Sequence, residues 1–152
     1  MPCTRNHTHT NLLLLRLERF CISDEVMTKI HQFFKNGYAS HLQILRLISN
    51  KVSPSGISKF CEVLDSEHFV ELRCLDFSRN PICDEGAGVL FNTLMKRACE
   101  FLQLILCKCL LTSQCVPTLV KTLQGEHCKI VELWLEDNDI GDEGVRLLCE
   151  AA

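Results

Sequence analysis

Apolar residues recur along this chain in one pattern that appears five times, at intervals of 29 or 30 residues. The pattern has apolar residues at its first, fourth and sixth places, a small polar residue at the ninth and an aliphatic residue at the eleventh. The segment LRCLDFSRNPI, from Leu72 to Ile82, shows it completely. A period of about 20 to 50 residues is typical of a solenoid, because so small a unit buries its apolar face only by stacking on neighbours. The copies begin at Leu12, Leu42, Leu72, Phe101 and Ile130.

Within each copy the pattern predicts a short strand followed by a helix. The fourth and sixth places alternate with other residues, which is the period of a strand with one buried face. After the eleventh place the apolar spacing changes to four, as when Phe60 and Leu64 follow Val52. That spacing places one apolar stripe along one side of a helix. We expect the stripe to include Val26 in the first copy and to be widened by Val145 in the last.

Three further residue types mark the starts of the predicted helices, each of them in three of the five copies. Serine and threonine at this point favour N-caps, and acidic pairs compensate the helix dipole. A glycine follows, and we expect it to let the helix approach the strand layer closely. The caps are Ser23, Ser53 and Thr112, the acidic pairs begin at Asp24, Asp84 and Asp142, and the glycines are Gly56, Gly86 and Gly144.

An asparagine stands at the ninth place in three of the five copies. Its amide can bond backbone groups that the neighbouring strand leaves unpaired, so stacked copies are expected to form a structural ladder. Phe20 occupies the same place in the first copy, which therefore departs from the pattern. The ladder residues are Asn50, Asn80, Cys109 and Asn138.

These patterns predict an α/β fold, a right-handed solenoid in the form of a horseshoe arc. Parallel strands are expected on the concave side and helices on the convex side, since strands stack about 4.8 Å apart and helices are about 10 Å wide. Residues 1–11 are polar and predicted to be a disordered leader. The repeat domain is predicted to span 12–152, as units 12–41, 42–71, 72–100, 101–129 and 130–152.

Composition and charge narrow the function classes. A net charge of −3 over 152 residues gives no footprint for nucleic acid and no basic run for a membrane surface. The apolar run Leu12–Leu15 is too short for a signal-peptide core, so we expect a cytoplasmic protein. In that compartment the eleven cysteines are expected to be reduced thiols, with Cys61 among those at apolar repeat positions.

The candidate chemical motifs do not form a site. Cys107 and Cys109 would share a strand face, but no second pair has matching spacing, and structural zinc needs four ligands. His127 and Cys128 are sequence neighbours without an orienting third group. Compensation of the helix dipole explains all three acidic pairs together. We therefore expect no catalytic residue, no metal and no cofactor.

The motif L-x-x-L-x-L-x-x-N/C-x-I/L, followed by D-E-G and a helix, resembles the ribonuclease-inhibitor class of leucine-rich repeats. The fragments LDFSRNPICDEGAGVL and WLEDNDIGDEGVRLLCEA carry the resemblance, and Cys109 matches the alternation of Asn and Cys. The resemblance implies a cytosolic, non-enzymatic binding scaffold, as in ribonuclease inhibitor and the sensor region of NOD-like receptors. It also extends to the Ran GTPase-activating protein. The alternatives are therefore a GTPase-activating regulator or a fragment of a larger innate-immune sensor.

Side chains at the third, fifth, seventh and eighth places are expected to form the partner-binding surface on the strand side. Their charge is basic in the early units and acidic around Trp134. Aromatic and arginine residues most often carry interface hot spots, so we expect a protein partner to contact Trp134. Partial packing of Trp134 on Ile105 and a merely solvated basic face remain the alternatives. The candidates are Arg16, Arg46, Asp76, Arg79, Ile105, Lys108, Glu132, Trp134, Glu136 and Asp137.

Neither end of the repeat array shows a polar capping unit, which solenoids need for solubility. The final unit is expected to expose parts of Leu133, Leu135, Ile140 and Leu148. Self-association through the uncapped ends, a covering partner or a longer protein would each account for this exposure.

Overall fold

A computed structural model of the chain describes residues 11–65, 71–96 and 102–151, in which five short strands alternate with five helices. The proposed leader lies almost wholly outside these residues. The strands are β1 (Leu14–Arg16), β2 (Ile44–Arg46), β3 (Cys74–Asp76), β4 (Gln103–Ile105) and β5 (Glu132–Trp134). The helices are α1 (Asp24–Lys35), α2 (Pro54–Leu64), α3 (Cys83–Lys96), α4 (Val116–Leu123) and α5 (Gly141–Ala151). A 3-10 turn, Ser113–Cys115, precedes α4.

The five strands form one sheet in sequence order, and every neighbouring pair is parallel. Leu45 pairs with Leu75 and Leu75 pairs with Leu104, so the fourth places of successive units stand side by side. All three leucines are fully buried in the layer between strands and helices. The predicted parallel solenoid is confirmed, with its concave surface on the narrower strand side.

The apolar stripes of the central helices are buried as the spacing predicts. Phe60 and Leu64 of α2 are each 1% exposed. In α1, Met27 and Phe34 are buried as the spacing predicts, whereas Val26 is exposed. Val145 in the last helix is also exposed. The expectations for both valines were wrong for the same reason: a residue in an outer unit has a neighbouring unit on one side only.

The repeated glycines permit close contact between successive helix starts. A Cβ on Gly86 would lie 3.1 Å from the Pro54 Cα of the preceding unit. A Cβ on Gly56 would overlap the Asp24 carboxylate. The expectation that these glycines face the strand layer was therefore incomplete, because the preceding helix start is the nearest obstacle at Gly56 and Gly86. At Gly144 the nearest obstacle is Ile140 of the same unit.

The ninth-place asparagines bridge neighbouring units through backbone hydrogen bonds. Asn80 Oδ1 accepts from the Val52 N–H at 3.1 Å, and Asn80 Nδ2 donates to the carbonyl oxygens of Leu47 at 2.7 Å and Phe77 at 2.8 Å. Asn50 and Asn138 make equivalent bonds in their own units. In the fourth unit the Cys109 Sγ donates to the Phe77 carbonyl at 3.3 Å. This row satisfies backbone groups that would otherwise be buried without partners.

A second set of hydrogen bonds links the helix starts, and the sequence pattern did not indicate it. Asp84 Oδ1 accepts from the Thr112 N–H at 2.8 Å, and Asp84 Oδ2 accepts from the Thr112 hydroxyl at 2.6 Å. The Asp24 carboxylate binds the N–H and hydroxyl of Ser53 in the same way. The first acidic residue of a helix thus holds the N-cap of the next helix, besides compensating its own dipole.

Candidate functional site

The concave face is formed by the third-, fifth- and seventh-place side chains, with the eighth-place residues along its edge. The flanking positions of each strand lie on this face because the central residue points into the core. Leu14 and Trp134, in the two outermost strands, are 48% and 46% exposed. The fold needs none of the exposed side chains for its core, so their chemistry is free to serve binding.

In the first unit one carboxylate partly neutralises the positive charges of the concave face and its edge. The Arg16 guanidinium lies 2.5 Å from the Glu18 carboxylate, and Arg19 lies 4.0 Å from the same group. The pKa of Glu18 is lowered, chiefly by a hydrogen bond from Arg16. The charges of Arg19 and Arg79 lower it further. Arg16 is thus exposed yet internally paired, which weakens the basic character that the sequence predicts for this end.

The centre of the face is more enclosed than expected. Asp76 was expected to contact a partner, but it is only 5% exposed, and its Oδ1 accepts from the Ser78 N–H at 2.9 Å. Asp76 therefore presents little surface to a partner, because units cover it on both sides. Arg46 is half-buried, and its Nε is enclosed without a hydrogen-bond partner among the described residues. Burial raises the pKa of the adjacent Cys74 thiol, and the Arg46 guanidinium opposes that rise.

The last two units form an acidic surface around an exposed indole. Trp134 Nε1 donates to Glu132 Oε2 at 3.4 Å, and Trp134 is in register with half-buried Ile105. Next to them the Cys107 thiol donates to Glu136 Oε2 at 3.0 Å. This hydrogen bond lowers the pKa of Glu136. The strand thus brings Trp134, Glu132 and Glu136 together on the face, as the sequence pattern indicates.

The eighth-place residues line the edge at the carboxyl ends of the strands. Arg79, Lys108 and Asp137 are exposed and lie there in successive units. All three have left-handed backbone conformations, with φ of 59°, 53° and 59°. These three residues follow their strands, whereas Trp134 lies within β5.

Sequence reasoning named one third-place residue, Glu132, and omitted the others. Leu14 is largely exposed and Ile44 is half-buried on the same face. Gln43, Ile44, Arg73, Cys74, Leu102, Gln103, Val131 and Glu132 line a hollow of about 270 Å³ there. Side chains alternate between the two faces of a strand, so residues two places apart lie on the same face. This alternation was sufficient to find the third-place residues from the fifth-place ones.

The buried cysteines are unsuited to nucleophilic chemistry. All nine in residues 11–65, 71–96 and 102–151 are free thiols. Burial raises the pKa of Cys61 to about 11, and that of Cys109 and Cys115 to about 12. Such thiols stay protonated near neutral pH, whereas the thiolate is the nucleophile. Within the same residues, no three metal-binding side chains are grouped to hold an ion, and no helix has the length and apolar character to cross a membrane.

Comparison with known proteins agrees with this architecture. A family profile described as leucine rich repeat matches residues 38–61, 72–91 and 126–149. Ribonuclease inhibitor of Sus scrofa is 33% identical over 74% of this chain and 24% of its own length. NACHT, LRR and PYD domains-containing protein 3 of Rattus norvegicus is 42% identical over 60% of this chain and 9% of its own length. NACHT, LRR and PYD domains-containing protein 12 of Homo sapiens is 37% identical over 72% of this chain and 10% of its own length.

The parallel register, the asparagine ladder and these matches define an α/β solenoid of leucine-rich repeats. The chain contains leucine-rich repeats, and its sequence is similar to those of ribonuclease inhibitors and of NACHT, LRR and PYD domain proteins. It spans about a quarter or less of the length of the relatives quoted above.

Proposed function

We propose that this chain is a non-enzymatic recognition module that binds a protein partner on its concave face, in the cytoplasm. The related ribonuclease inhibitor is named for an action on another protein, which supports a binding role for the shared repeats. The third- and fifth-place side chains of the outer units vary in chemistry while the buried leucines do not. Variation on a constant frame suits a surface that selects a partner.

The observation that carries the proposal is the exposed indole of Trp134 beside Glu132 and Glu136. An exposed tryptophan adds little to the core, whereas tryptophan is enriched among interface hot spots. The Trp134 Nε1–H and Cys107 Sγ–H each donate to one of these carboxylates, so the groups are oriented before a partner arrives. A partner surface with basic and apolar groups complements this arrangement.

Site-specific photo-crosslinking tests where the partner binds. A photoreactive amino acid replaces exposed Glu132 on the concave face in one protein and exposed Lys29 on α1 in another. Crosslinked proteins are isolated from a cytosolic extract and identified by mass spectrometry. We expect a defined adduct from position 132 and none from position 29. Equal yields from both positions would contradict concave-face binding.

The identified partner is then measured against Trp134→Ala by calorimetry. Removing the indole should weaken binding by about tenfold or more, while the far-ultraviolet circular dichroism stays unchanged because Trp134 is outside the core. Val26→Ala, at an exposed apolar position on α1, is the control. Identical binding curves for Trp134→Ala and the wild type would remove the proposed role of the indole.

Regulation of a GTPase remains the alternative, and GTP turnover by the captured partner separates it from simple binding. A small GTPase that hydrolyses GTP faster when the chain is added would replace the non-enzymatic proposal. Light scattering during size-exclusion chromatography tests self-association through the ends, where Leu133, Leu135 and Leu148 are half-buried but Ile140 is 7% exposed.

A further inference from the structure

A second surface lies beside the concave face, at the turn that follows each strand. Ser49, Arg79 and Lys108 occupy the same place in three successive units, all with left-handed φ between 53° and 59°. Hydrogen bonds fix these turns: the Arg79 N–H donates to the Cys107 carbonyl and the Lys108 N–H to the Glu136 carbonyl, each at 2.8 Å. The two basic side chains therefore start from fixed backbone positions on adjacent units.

A hollow of about 340 Å³ lies at these turns. Its volume is at the lower end of the range for small-ligand pockets, and it has room for one or two side chains of a partner. Asn80 contributes to its wall but is only 1% exposed and is held in the ladder. Available to a partner are two basic groups, one hydroxyl and two apolar side chains. The lining residues are Ser49, Arg79, Asn80, Pro81, Lys108 and Leu110.

Leu110 is unusual in both exposure and backbone conformation. It is 60% exposed, and its φ is 60°. Bulky residues rarely adopt the left-handed region, and neither core packing nor local backbone preference explains a leucine at this turn. An apolar contact from outside the chain gives this side chain a role.

The two basic groups of the hollow have no carboxylate at ion-pair distance in the described part of the chain, although the Glu18 charge acts on Arg79 from further away. No carboxylate there forms an ion pair with Arg79 or Lys108, whereas Arg16 and Arg19 both contact Glu18. Neighbouring Asp137 is in the same row but makes no such contact. The positive potential of the hollow is therefore available to an external carboxylate.

We infer that this hollow binds a peptide segment of a protein partner in which a carboxylate stands next to an apolar side chain. The carboxylate bonds to the Arg79 guanidinium and the Lys108 ammonium, and the apolar side chain packs on Pro81 and Leu110. A basic segment is repelled at the same place. This inference rests on the proposed function, since it specifies the chemistry of one contact with the partner.

Selection from a phage library of short random peptides on the immobilised whole chain tests the inference. We expect the recovered peptides to be enriched in Asp or Glu next to Leu, Ile or Phe. Synthetic copies are then measured by fluorescence anisotropy against the double variant Arg79→Asp/Lys108→Asp. Asp137 occupies the equivalent place with the same backbone conformation, so these substitutions suit the turn. Binding should weaken by about tenfold or more.

Lys29→Glu/Lys121→Glu is the matched control, because it makes the same charge change at exposed helix positions. It should bind the peptides as the wild type does, and Leu110→Ser should lose part of the affinity. The inference is overturned if no peptides are recovered, if they lack acidic residues, or if they bind Arg79→Asp/Lys108→Asp as tightly as the wild type.

Trp134→Ala separates this inference from the proposed function. Peptides that lose binding to Trp134→Ala but keep it with Arg79→Asp/Lys108→Asp support the concave face and overturn the inference about the hollow. Peptides with the opposite behaviour support the hollow and count against a role for Trp134 in their binding.

Discussion

The Asp84 carboxylate holds Thr112 by two hydrogen bonds, from the backbone N–H at 2.8 Å and from the hydroxyl at 2.6 Å. Asp84 is in the first turn of α3, while Thr112 begins the helical part of the following unit. Asp24 and Ser53 form the equivalent pair two units earlier. An acidic residue that looks like local dipole compensation thus links neighbouring units, and its loss should affect their stacking.

Asp84→Ala should lower the free energy of unfolding by about 1–3 kcal/mol, because the Thr112 N–H loses its acceptor. Asp142→Ala is the control: Asp142 stands at the same place in α5, and no described residue hydrogen-bonds to it. Both variants lose the same dipole compensation, worth about 0.3–1 kcal/mol. Urea unfolding followed by circular dichroism measures the difference. Equal losses would mean that the bond to Thr112 adds nothing.

Asn80→Ala should be more damaging, with an expected loss of about 2–4 kcal/mol in urea unfolding. The substitution removes the partners of the Val52 N–H and of the Leu47 and Phe77 carbonyls at a position only 1% exposed. Asn92→Ala, an exposed asparagine in α3, should change stability little. A loss for Asn80→Ala no larger than that for Asn92→Ala would show that the ladder is not a source of stability.

Two glycines of α3 should respond oppositely to alanine. Gly86→Ala should destabilise the fold by about 1 kcal/mol, because its Cβ would approach the Pro54 Cα to 3.1 Å. Gly88→Ala should stabilise by about 0.5–1 kcal/mol, since its Cβ meets nothing within 4 Å and alanine is the better helix former. Thermal unfolding of the two variants checks the signs. A stabilising Gly86→Ala would contradict the close approach of α2 and α3.

Alkaline pH should destabilise the protein through its buried thiols. Burial raises the pKa of Cys61 to about 11 and of Cys109 to about 12, whereas an unfolded cysteine ionises at about 8.5. Above about pH 8.5 the unfolded state therefore binds fewer protons than the folded state. The free energy of unfolding should fall by up to about 1.4 kcal/mol per thiol and pH unit, until the folded pKa is reached.

Urea titrations at pH 8 to 10, values chosen to lie around the unfolded pKa of about 8.5, measure this decline. Cys61→Ala should make the decline shallower, even if it also lowers stability at every pH. Cys149→Ala, at an exposed position, should leave the slope unchanged. A slope unaffected by Cys61→Ala would show that this thiol does not contribute to the pH dependence.

The outer units show where a sequence pattern loses its predictive value. The spacing that correctly buries Phe60 and Leu64 in α2 also assigned Val26 to a buried stripe, yet Val26 is 41% exposed. A pattern reports the face on which a residue lies, but the cover over that face depends on the neighbouring unit. For the same reason Asp76 is enclosed in the central unit, while Trp134 at the same place in the last unit is exposed.

The sequence by itself determined the repeat, the parallel register and the asparagine ladder, because strand and helix periodicities are local properties that recur at a constant interval. Only the tertiary structure decided which groups meet across units. Asp84 reaches Thr112, Arg16 is neutralised by Glu18, and Arg79 and Lys108 form no ion pair among the described residues. These pairings depend on the geometry of side chains from neighbouring units. The spacing of apolar residues carries no information about that geometry.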